Sequence, residues 1–548
     1  MLPTVALTGG WKTVLEPPAR RELEQAVLPQ FLRRQRWFGG KGRSLESVRL
    51  ADWGGLPSDE AHVFLTLLEM QFGTGQPELY FCPLGVTGGA AAERMASERN
   101  DWVMARLTGP EGEALLHDAL ADDDTCTTLL IAIGAGLEFD TRSGQVRGIP
   151  TAAYAQLRGK REERLPIERG PATSSNTLLF YGRRLMLKVF RRLEPGINPD
   201  FEIGRYLTEK TAFDRIPRVA GCIEYPRPGL QPTTLAILQE RVENQSDGWR
   251  HALEELDSYY RRVSHCQPSP DDRPLLELAE SDLPSSVRET IGSYLDSAAT
   301  LGRRTAELHR ALAADAQNPD FAPEPFTPKD AAALRDSVRA QAECALAALR
   351  DNIERLPVEI ASSARRLLDE GPEALKRLEQ EQPFDGGAAK IRCHGDYHLG
   401  QVLRVADDYV LLDFEGEPAR SVQERRARQS PLKDVAGMLR SYHYAAYAGL
   451  FEFASHDPRA FSDLEPCAES WFRWVSAAFL RAYRTAASGA AFLPADRVSF
   501  AALLDAFRLD KVFYELNYEL NNRPDWVRIP LRGILTLLGL APVAGAPG

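Results

Sequence analysis

The stretch Ile391-Arg392-Cys393-His394-Gly395-Asp396-Tyr397-His398-Leu399-Gly400-Gln401, followed by Leu411-Leu412-Asp413-Phe414-Glu415, decides the reading of this chain. Transfer of a phosphoryl group from a nucleotide needs a carboxylate near the attacking hydroxyl, oxygen ligands for a divalent cation, and a cation on the phosphate oxygens. Asp396 and Gln401 stand five apart, the step that separates the base from the metal-binding amide in such loops. Asp413 then ends an apolar strand as a second metal carboxylate would. A carboxylate and an amide oxygen are hard ligands suited to Mg²⁺. Each piece alone is common, and Asp-Phe-Glu at a strand end is usually a solvated turn, so the weight lies in their order and spacing. His394 reads as a buried histidine bonded to the loop backbone, and His398 as a candidate substrate contact.

Working upstream, Leu185-Met186-Leu187-Lys188-Val189-Phe190 places one lysine among apolar strand residues, where an uncompensated ammonium is costly. Glu202, on a segment that begins with helix-start character at Pro199, is the expected counter-charge. A lysine snorkelling at a strand edge is the plainer alternative. The small, hydroxylic run Gly170 to Thr177 offers Ser174, Ser175, Asn176 and Thr177 as nucleotide contacts through backbone amides. It lacks the GxGxxG and GxxxxGK[ST] glycine patterns and reads equally as a polar turn. Gln239 to Val242, including Glu240 and Val242, follows an apolar strand where backbone groups would meet an adenine.

Downstream, Lys511-Val512-Phe513-Tyr514-Glu515-Leu516-Asn517-Tyr518-Glu519 puts Tyr514 and Tyr518, and Glu515 and Glu519, at i,i+4 on adjoining stripes of a helix. Aromatic faces with carboxylates suit a sugar, making Lys511, Tyr514, Glu515 and Tyr518 substrate candidates. Phe513 and Leu516 read as packing residues. Trp526 reads either as a substrate contact or as a residue closing the core.

The rest of the chain sets bounds. At 548 residues it exceeds one ordinary core and divides into compact units of about 100 to 200 residues each. The expected division is 1–150, an α+β unit; 151–242, a strand-rich lobe; and 243–548, a mainly helical lobe. Helical spacing is expected over Glu22 to Gln35, Leu301 to Ala313, Lys329 to Leu349 and Phe500 to Asn521. Strands are expected over Val63 to Leu68, Leu79 to Phe81, Thr127 to Ala132, Thr177 to Tyr181, Leu185 to Phe190, Thr234 to Glu240 and Tyr409 to Phe414. The Pro- and Asp-rich stretches 267–284 and 315–328 read as surface loops.

A hydrophobic content of 44% and a charged content of 26% are those of an ordered globular protein. A net charge of −11 repels polyanions, and the run Arg425 to Arg428 is too short to reverse that, so no nucleic-acid partner is expected. Seven scattered cysteines without a CxxC pair fit reduced thiols in a cytoplasmic protein. Neither an export signal nor a membrane anchor is expected.

Taken together, Gln35 to Lys41 (QRWFGGK), Gly196-Ile197-Asn198-Pro199, His394 to Leu403, Asp413 to Arg420 and Lys433 to Ser441 resemble the maltokinase family, relatives of the aminoglycoside phosphotransferase-like kinases. The resemblance covers essentially the whole chain. It implies an α+β, bilobal protein-kinase-like fold with an N-terminal α+β cap domain, a strand-rich small lobe and a mainly helical C-terminal lobe. It also implies ATP and Mg²⁺ as cofactors, maltose as acceptor, α-maltose 1-phosphate as product, and a place in glycogen synthesis from trehalose with trehalose synthase as an associate. By the resemblance, Asp396 is the catalytic base, Gln401 and Asp413 are the metal ligands, Glu415 either supports a second metal or orients the substrate, and Lys188 contacts the α/β-phosphates. Two rival expectations stand beside it. One is a kinase of another sugar or amino sugar, of glucosamine or aminoglycoside type. The other is a noncatalytic kinase-fold protein that binds glucan.

Overall fold

The computed structural model describes residues 2–540 apart from 57–61, 74, 172–174, 264–270, 272, 382–386 and 456–457. It resolves into two compact units, Met1–Glu243 with Ala419–Glu424, and Asn244–Pro418 with Arg425–Gly548.

The first unit is built on two sheets. An eight-stranded sheet runs in the order Thr4–Ala6, Val103–Gly109, Gly112–Asp118, Leu84–Gly88, His62–Phe72, Glu78–Phe81, Arg192–Leu193, with Leu45–Leu56 also paired to His62–Phe72. A seven-stranded sheet runs Ile167–Arg169, Asn176–Tyr181, Leu185–Phe190, Thr233–Glu240, Val219–Tyr225, Gln145–Pro150, Glu138–Asp140. Both expose the period-two logic of half-buried strands, as in Asn176–Tyr181, whose residues alternate between half-buried and buried. The expected hairpin is present, with Lys188 opposite Leu178 and Thr177 opposite Val189. One core cluster is common to the two sheets. It joins Leu65, Leu67, Phe81 and Leu120 to Leu179, Leu187, Val189, Ile223 and Leu238.

The expected strand over Thr127 to Ala132 is instead part of the helix Asp123–Ala135. A short apolar run does not distinguish a strand from a buried helix. The end signals do: the Asp122 side chain accepts from Thr125 N, two acids occupy the first turn, and Gly136 closes the helix at φ 62°.

The second unit is helical, with long helices Tyr294–Leu312, Pro328–Asn352, Val358–Glu381, Leu432–Phe453, Pro458–Ala486 and Arg497–Asn522. A three-stranded sheet, Ser246–Asp247, Val402–Val405 and Asp408–Leu411, stands among them. The strand expected over Tyr409 to Phe414 thus ends at Leu411, before Asp413. Leu275–Glu280, in a stretch expected as loop, is a short helix. Among the described residues no helix is long and apolar enough to cross a membrane.

Candidate functional site

The segment Ile391–Gln401 is held by buried charge. Asp434, on the helix Leu432–Phe453, is 1% exposed. Its carboxylate accepts from His394 N at 2.8 Å and Gly395 N at 2.9 Å, and lies 3.1 Å from His309 Nε2. Burial raises the Asp434 pKa, but the hydrogen bond and charge of His309 and the backbone donors outweigh it, so the net shift is downward. Gly395 adopts φ 87°, and a Cβ there would lie 3.2 Å from Gly416 Cα. The backbone therefore turns in the left-handed region just before Asp396, a conformation glycine adopts without strain. His394 donates from Nε2 toward Leu412 O at 3.0 Å and packs against Tyr397 and Phe414. That is the structural role expected of it.

Beyond Asp396, His398 Nδ1 accepts from Gly400 N at 3.0 Å, capping the turn Leu399–Gln401. Burial lowers the His398 pKa despite the nearby Asp396, which favours the neutral ring. Gln401 then donates from Nε2 to Asp413 Oδ2 at 2.9 Å. Asp413 itself sits at φ 67°, an uncommon conformation for a side-chain-bearing residue. The bond from Gln401 sets the two side chains next to one another with the amide nitrogen toward the carboxylate, and the Asp413 carboxylate is the kind of hard oxygen donor that a divalent cation takes. Glu415 follows on the same turn, and its carbonyl accepts from Arg425 Nη1 at 3.0 Å.

Asp396 and His398 line a cleft of about 350 Å³ whose walls come from the helices Leu432–Phe453 and Arg497–Asn522. Lys511 Nζ lies 3.9 Å from Asp396 and 3.6 Å from Glu417, and Lys433 lies 3.8 Å from Glu417. Burial would favour a neutral amine at Lys511, but Glu417 and Asp396 more than offset it and its pKa is raised. One helical turn on, Glu515 accepts from Arg440 Nε at 2.8 Å. Burial nevertheless outweighs that cation and raises the Glu515 pKa. At the following turn Glu519 accepts from Tyr444 at 3.0 Å and from Arg523 Nε at 2.9 Å. The Tyr444 and Trp526 rings stack at 6.2 Å and 20°, with the Arg523 guanidinium 4.7 Å from the Trp526 ring. Arg440, Tyr444, Arg523 and Trp526 all line the cleft.

Of the expected substrate residues, His398, Lys511 and Glu515 therefore meet at this cleft, whereas Tyr514 and Tyr518 do not line it. Both tyrosines are 45% exposed and stack on one another at 6.5 Å. Arg440 and Tyr444 escaped sequence reading, although Lys433, Gly437, Arg440 and Ser441 recur at helical spacing within the motif Lys433 to Ser441 and Tyr444 follows one turn on.

The nucleotide candidates lie in the first unit. Lys188 is 7% exposed and donates to Asp200 at 3.0 Å. The expected counter-charge was Glu202; the ion pair seen at that distance is with Asp200, two residues earlier on the same helix, Pro199–Lys210. Asn198 caps that helix, its side chain accepting from Asp200 N at 2.9 Å. Ser174 lies outside the described residues. Ser175 and Asn176 lead into the strand Asn176–Tyr181, and Thr177 is 7% exposed with its hydroxyl accepting from Arg191 Nε at 2.8 Å. At the end of Thr233–Glu240, the Glu240 carboxylate accepts from Arg218 Nε at 3.0 Å, and its N–H donates to Arg218 O at 2.8 Å. Val242 follows with no regular structure.

Comparison with known proteins places this geometry. Residues 31–122 match the maltokinase N-terminal cap domain, and residues 244–416 match the phosphotransferase enzyme family. A glucosamine kinase of Streptacidiphilus jiangxiensis is 30% identical over 338 residues, 60% of this chain and 65% of that protein. A glucosamine kinase of Mycolicibacterium smegmatis is 27% identical over 251 residues, 46% of this chain and 56% of that protein. The aligned segments thus span less than two thirds of those relatives. A solved glucosamine kinase in complex with glucosamine, ADP and inorganic phosphate superposes with TM-score 0.57 at 22% identity, covering 90% of this chain and 94% of that one. A second crystal form gives 0.58. At that identity the likeness is one of fold. The chain therefore has a kinase-like, mixed α+β fold in which a region matching the maltokinase N-terminal cap domain precedes a strand-rich region and a helical part whose residues 244–416 match the phosphotransferase enzyme family.

Proposed function

We propose that this chain is an ATP-dependent sugar kinase that transfers a phosphoryl group to the anomeric hydroxyl of maltose, giving α-maltose 1-phosphate and ADP. One observation carries the acceptor assignment: the cleft beside Asp396 is graded along its length. Lys511, Glu515 and Glu519 recur every fourth residue, so at about 1.5 Å per residue the Lys511 and Glu519 levels lie roughly 12 Å apart. That is the scale of two linked hexose rings. At the Lys511 level stands Asp396; at the Glu519 level stand Tyr444, Arg523 and Trp526. A reacting ring at the first and an aromatic surface for a second ring suit a disaccharide.

In this reading Asp396 takes the proton of the acceptor hydroxyl as its oxygen bonds to the γ-phosphorus and the bond to the ADP oxygen breaks. Lys511 sets a positive charge 3.9 Å from the Asp396 carboxylate. Gln401 and Asp413 hold Mg²⁺, with Glu415 in support, and the ion when bound neutralises phosphate charge. Lys188, fixed by Asp200, contacts the α/β-phosphates. Ser175 and Asn176 and the backbone at Glu240 and Val242 serve the nucleotide. The sugar phosphate would feed α-glucan synthesis, with trehalose synthase as supplier of maltose.

A second reading, an amino-sugar acceptor, draws on the names of the relatives. The charges of the cleft count against it. Asp396, Glu417 and Glu515 each face a lysine or arginine, and Asp510 accepts from Ser337 at 2.7 Å. An ammonium group would have to displace one of these partners.

The test is phosphorus NMR of protein incubated with ATP, Mg²⁺ and either maltose or glucosamine. A metal-dependent anomeric phosphate from maltose is the expected result. ATP consumption with glucosamine alone would replace maltose by the amino sugar, and no transfer to any sugar, with nucleotide still bound, would leave a noncatalytic binding protein.

A further inference from the structure

One buried histidine touches the wall of the acceptor cleft without lining it. Arg440 and His443 stand three apart on the helix Leu432–Phe453, only 3% and 2% exposed. Arg440 Nε donates to Glu515 Oε2 at 2.8 Å, Nη2 lies 2.8 Å from the same carboxylate oxygen, and Nη1 lies 2.8 Å from His443 Nδ1. A Cβ at Gly533, on the helix Arg528–Leu537, would lie 2.6 Å from Arg440 Nη1. That helix therefore approaches the guanidinium as closely as a glycine allows.

A guanidinium only donates, so Nδ1 of His443 accepts and the ring carries its proton on Nε2. Nε2 lies 3.9 Å from Glu469 Oε2, on the helix Pro458–Ala486, and that carboxylate has Arg473 at 3.9 Å and Arg532 at 3.8 Å. Phe472 and Tyr447 pack against the imidazole at 4.6 Å and 5.1 Å between ring centroids. Burial first, and then Arg440, Arg532 and Arg508, push the His443 pKa well below its ordinary value, in keeping with a neutral ring. A protonated ring would aim a second N–H at Arg440 and drive it away. On the cleft side, Glu515 gives Oε2 to Arg440, and among the described residues nothing donates to its Oε1. A carboxylate oxygen in so enclosed a place calls for a donor.

We propose that His443 is a positioning residue for acceptor recognition: it accepts from Arg440 and so holds the guanidinium on one oxygen of Glu515, leaving the other oxygen to a hydroxyl of the sugar. This rests on the sugar-kinase reading above and deepens it by naming what fixes Glu515. With Arg440 locked in place the charge of Glu515 is already answered, so the site takes a neutral donor rather than an ammonium group. Arginine's planar fork lets one side chain serve both partners in fixed directions, which a lysine would not.

The test sets steady-state kinetics with ATP and maltose beside calorimetry of MgADP binding, which involves no sugar. His443→Phe keeps a ring and removes the acceptor. It is expected to raise KM for maltose about tenfold, with a smaller change in kcat and MgADP affinity within about twofold of wild type. His443→Asn, whose side-chain oxygen takes the place of Nδ1, is expected to recover most of the lost affinity for maltose. Tyr259→Phe serves as comparator: it removes the bond from the Tyr259 hydroxyl to Cys467 O at 2.9 Å, elsewhere on the helix Pro458–Ala486, and should lower Tm while leaving KM unchanged. Folded His443→Phe protein with the wild-type KM overturns the proposal. An equal rise in Tyr259→Phe also overturns it, because the effect would then be general loosening. A reading free of any folding defect comes from ¹⁵N NMR of the wild-type histidines, with the His443 ring assigned by its absence in His443→Asn. A neutral ring protonated on Nε2 is expected at about pH 6, below the ordinary imidazole value. A ring protonated on Nδ1 overturns the proposal. Wild-type protein that phosphorylates no sugar overturns the sugar-kinase reading itself.

Discussion

Asp396 and Asp434 illustrate how two carboxylates in one short region divide labour by environment. Asp396 faces the cleft with a side chain 26% exposed, while Asp434 is sealed beneath the loop with three polar neighbours. Asp396→Asn is expected to lower kcat about 10²- to 10⁴-fold with an unchanged melting temperature, measured by coupled ADP release and calorimetry. Asp434→Ala should do the reverse first. It strands two buried N–H groups and is expected to cost about 2 to 5 kcal/mol of stability, read as a lowered Tm. Acid should expose a related weakness at His251, whose pKa is lowered to about 4 by burial and, to a lesser degree, by Arg404. The unfolded chain protonates this ring near 6.5, the folded one only near 4. Stability is therefore full above pH 6.5 and falls as pH drops toward 4. Denaturant melts across that window are expected to show the loss, and His251→Gln to reduce it. At this scale the sequence was most informative where two residues it singled out meet in space, as Gln401 and Asp413 do. Asp200 and Asp434 were not singled out. Their roles depend on which residues fold back onto them, and a lone carboxylate on a helix carries no mark of that.

Helices act here as spacers, and what they space can be checked. Gly437 on the helix Leu432–Phe453 has no room for a side chain, since a Cβ would lie 2.7 Å from Tyr397 O. Gly437→Ala must push that helix away from the segment it braces through Asp434. The expected result is a loss of about 1 to 3 kcal/mol in stability and at least about a tenfold fall in kcat, because small displacements of a reacting group are costly. The turn Pro524–Trp526, just past the helix Arg497–Asn522, makes a different prediction. Trp526→Ala removes ring surface at the Glu519 level and leaves Asp396 and Lys511 untouched. KM for maltose should rise by about tenfold with a smaller change in kcat, since the lost contact is remote from the reacting hydroxyl. Equal effects on kcat and KM would place Trp526 in the core instead. The helical spacing of this element was legible, but which face lines the cleft was not. The aromatic stripe of Tyr514 and Tyr518 looked like a sugar surface, yet the cleft takes the adjoining stripe of Lys511 and Glu515. Periodicity identifies a stripe; only the packing partners decide whether it is covered, exposed or enclosed.

Across the first unit, the cap and the strands that bear Lys188 and Glu240 share a core. Leu56, Val63, Leu65, Leu67, Phe81 and Leu120 pack in the same cluster as Leu179, Leu187, Val189 and Leu238. The bond between Tyr225 and Asp52 and those of Arg169 to Leu120 O and Ala121 O add polar links. Sequence reading found the composition shift near residue 150 and drew a domain line there. It had no means of seeing that Gln145–Pro150 would pair with Val219–Tyr225, or that the strand bearing Lys188 would continue into the other sheet. Strand pairing is a long-range choice that neither local propensity nor alternation encodes. The shared core makes a strong demand on any shortened protein. Removing residues 2–122 would bare the apolar faces of both Leu185–Phe190 and Thr233–Glu240, and each fully exposed Leu or Val forfeits about 1.5 to 3 kcal/mol. With a typical domain stable by only about 5 to 15 kcal/mol, losing several such contacts leaves no native state. The truncated chain is therefore expected to bind ANS, to lose near-UV circular dichroism and to bind no nucleotide. A cooperative melt with undiminished MgADP binding in that truncated chain would show instead that the strands Leu185–Phe190 and Thr233–Glu240 complete their core without the cap.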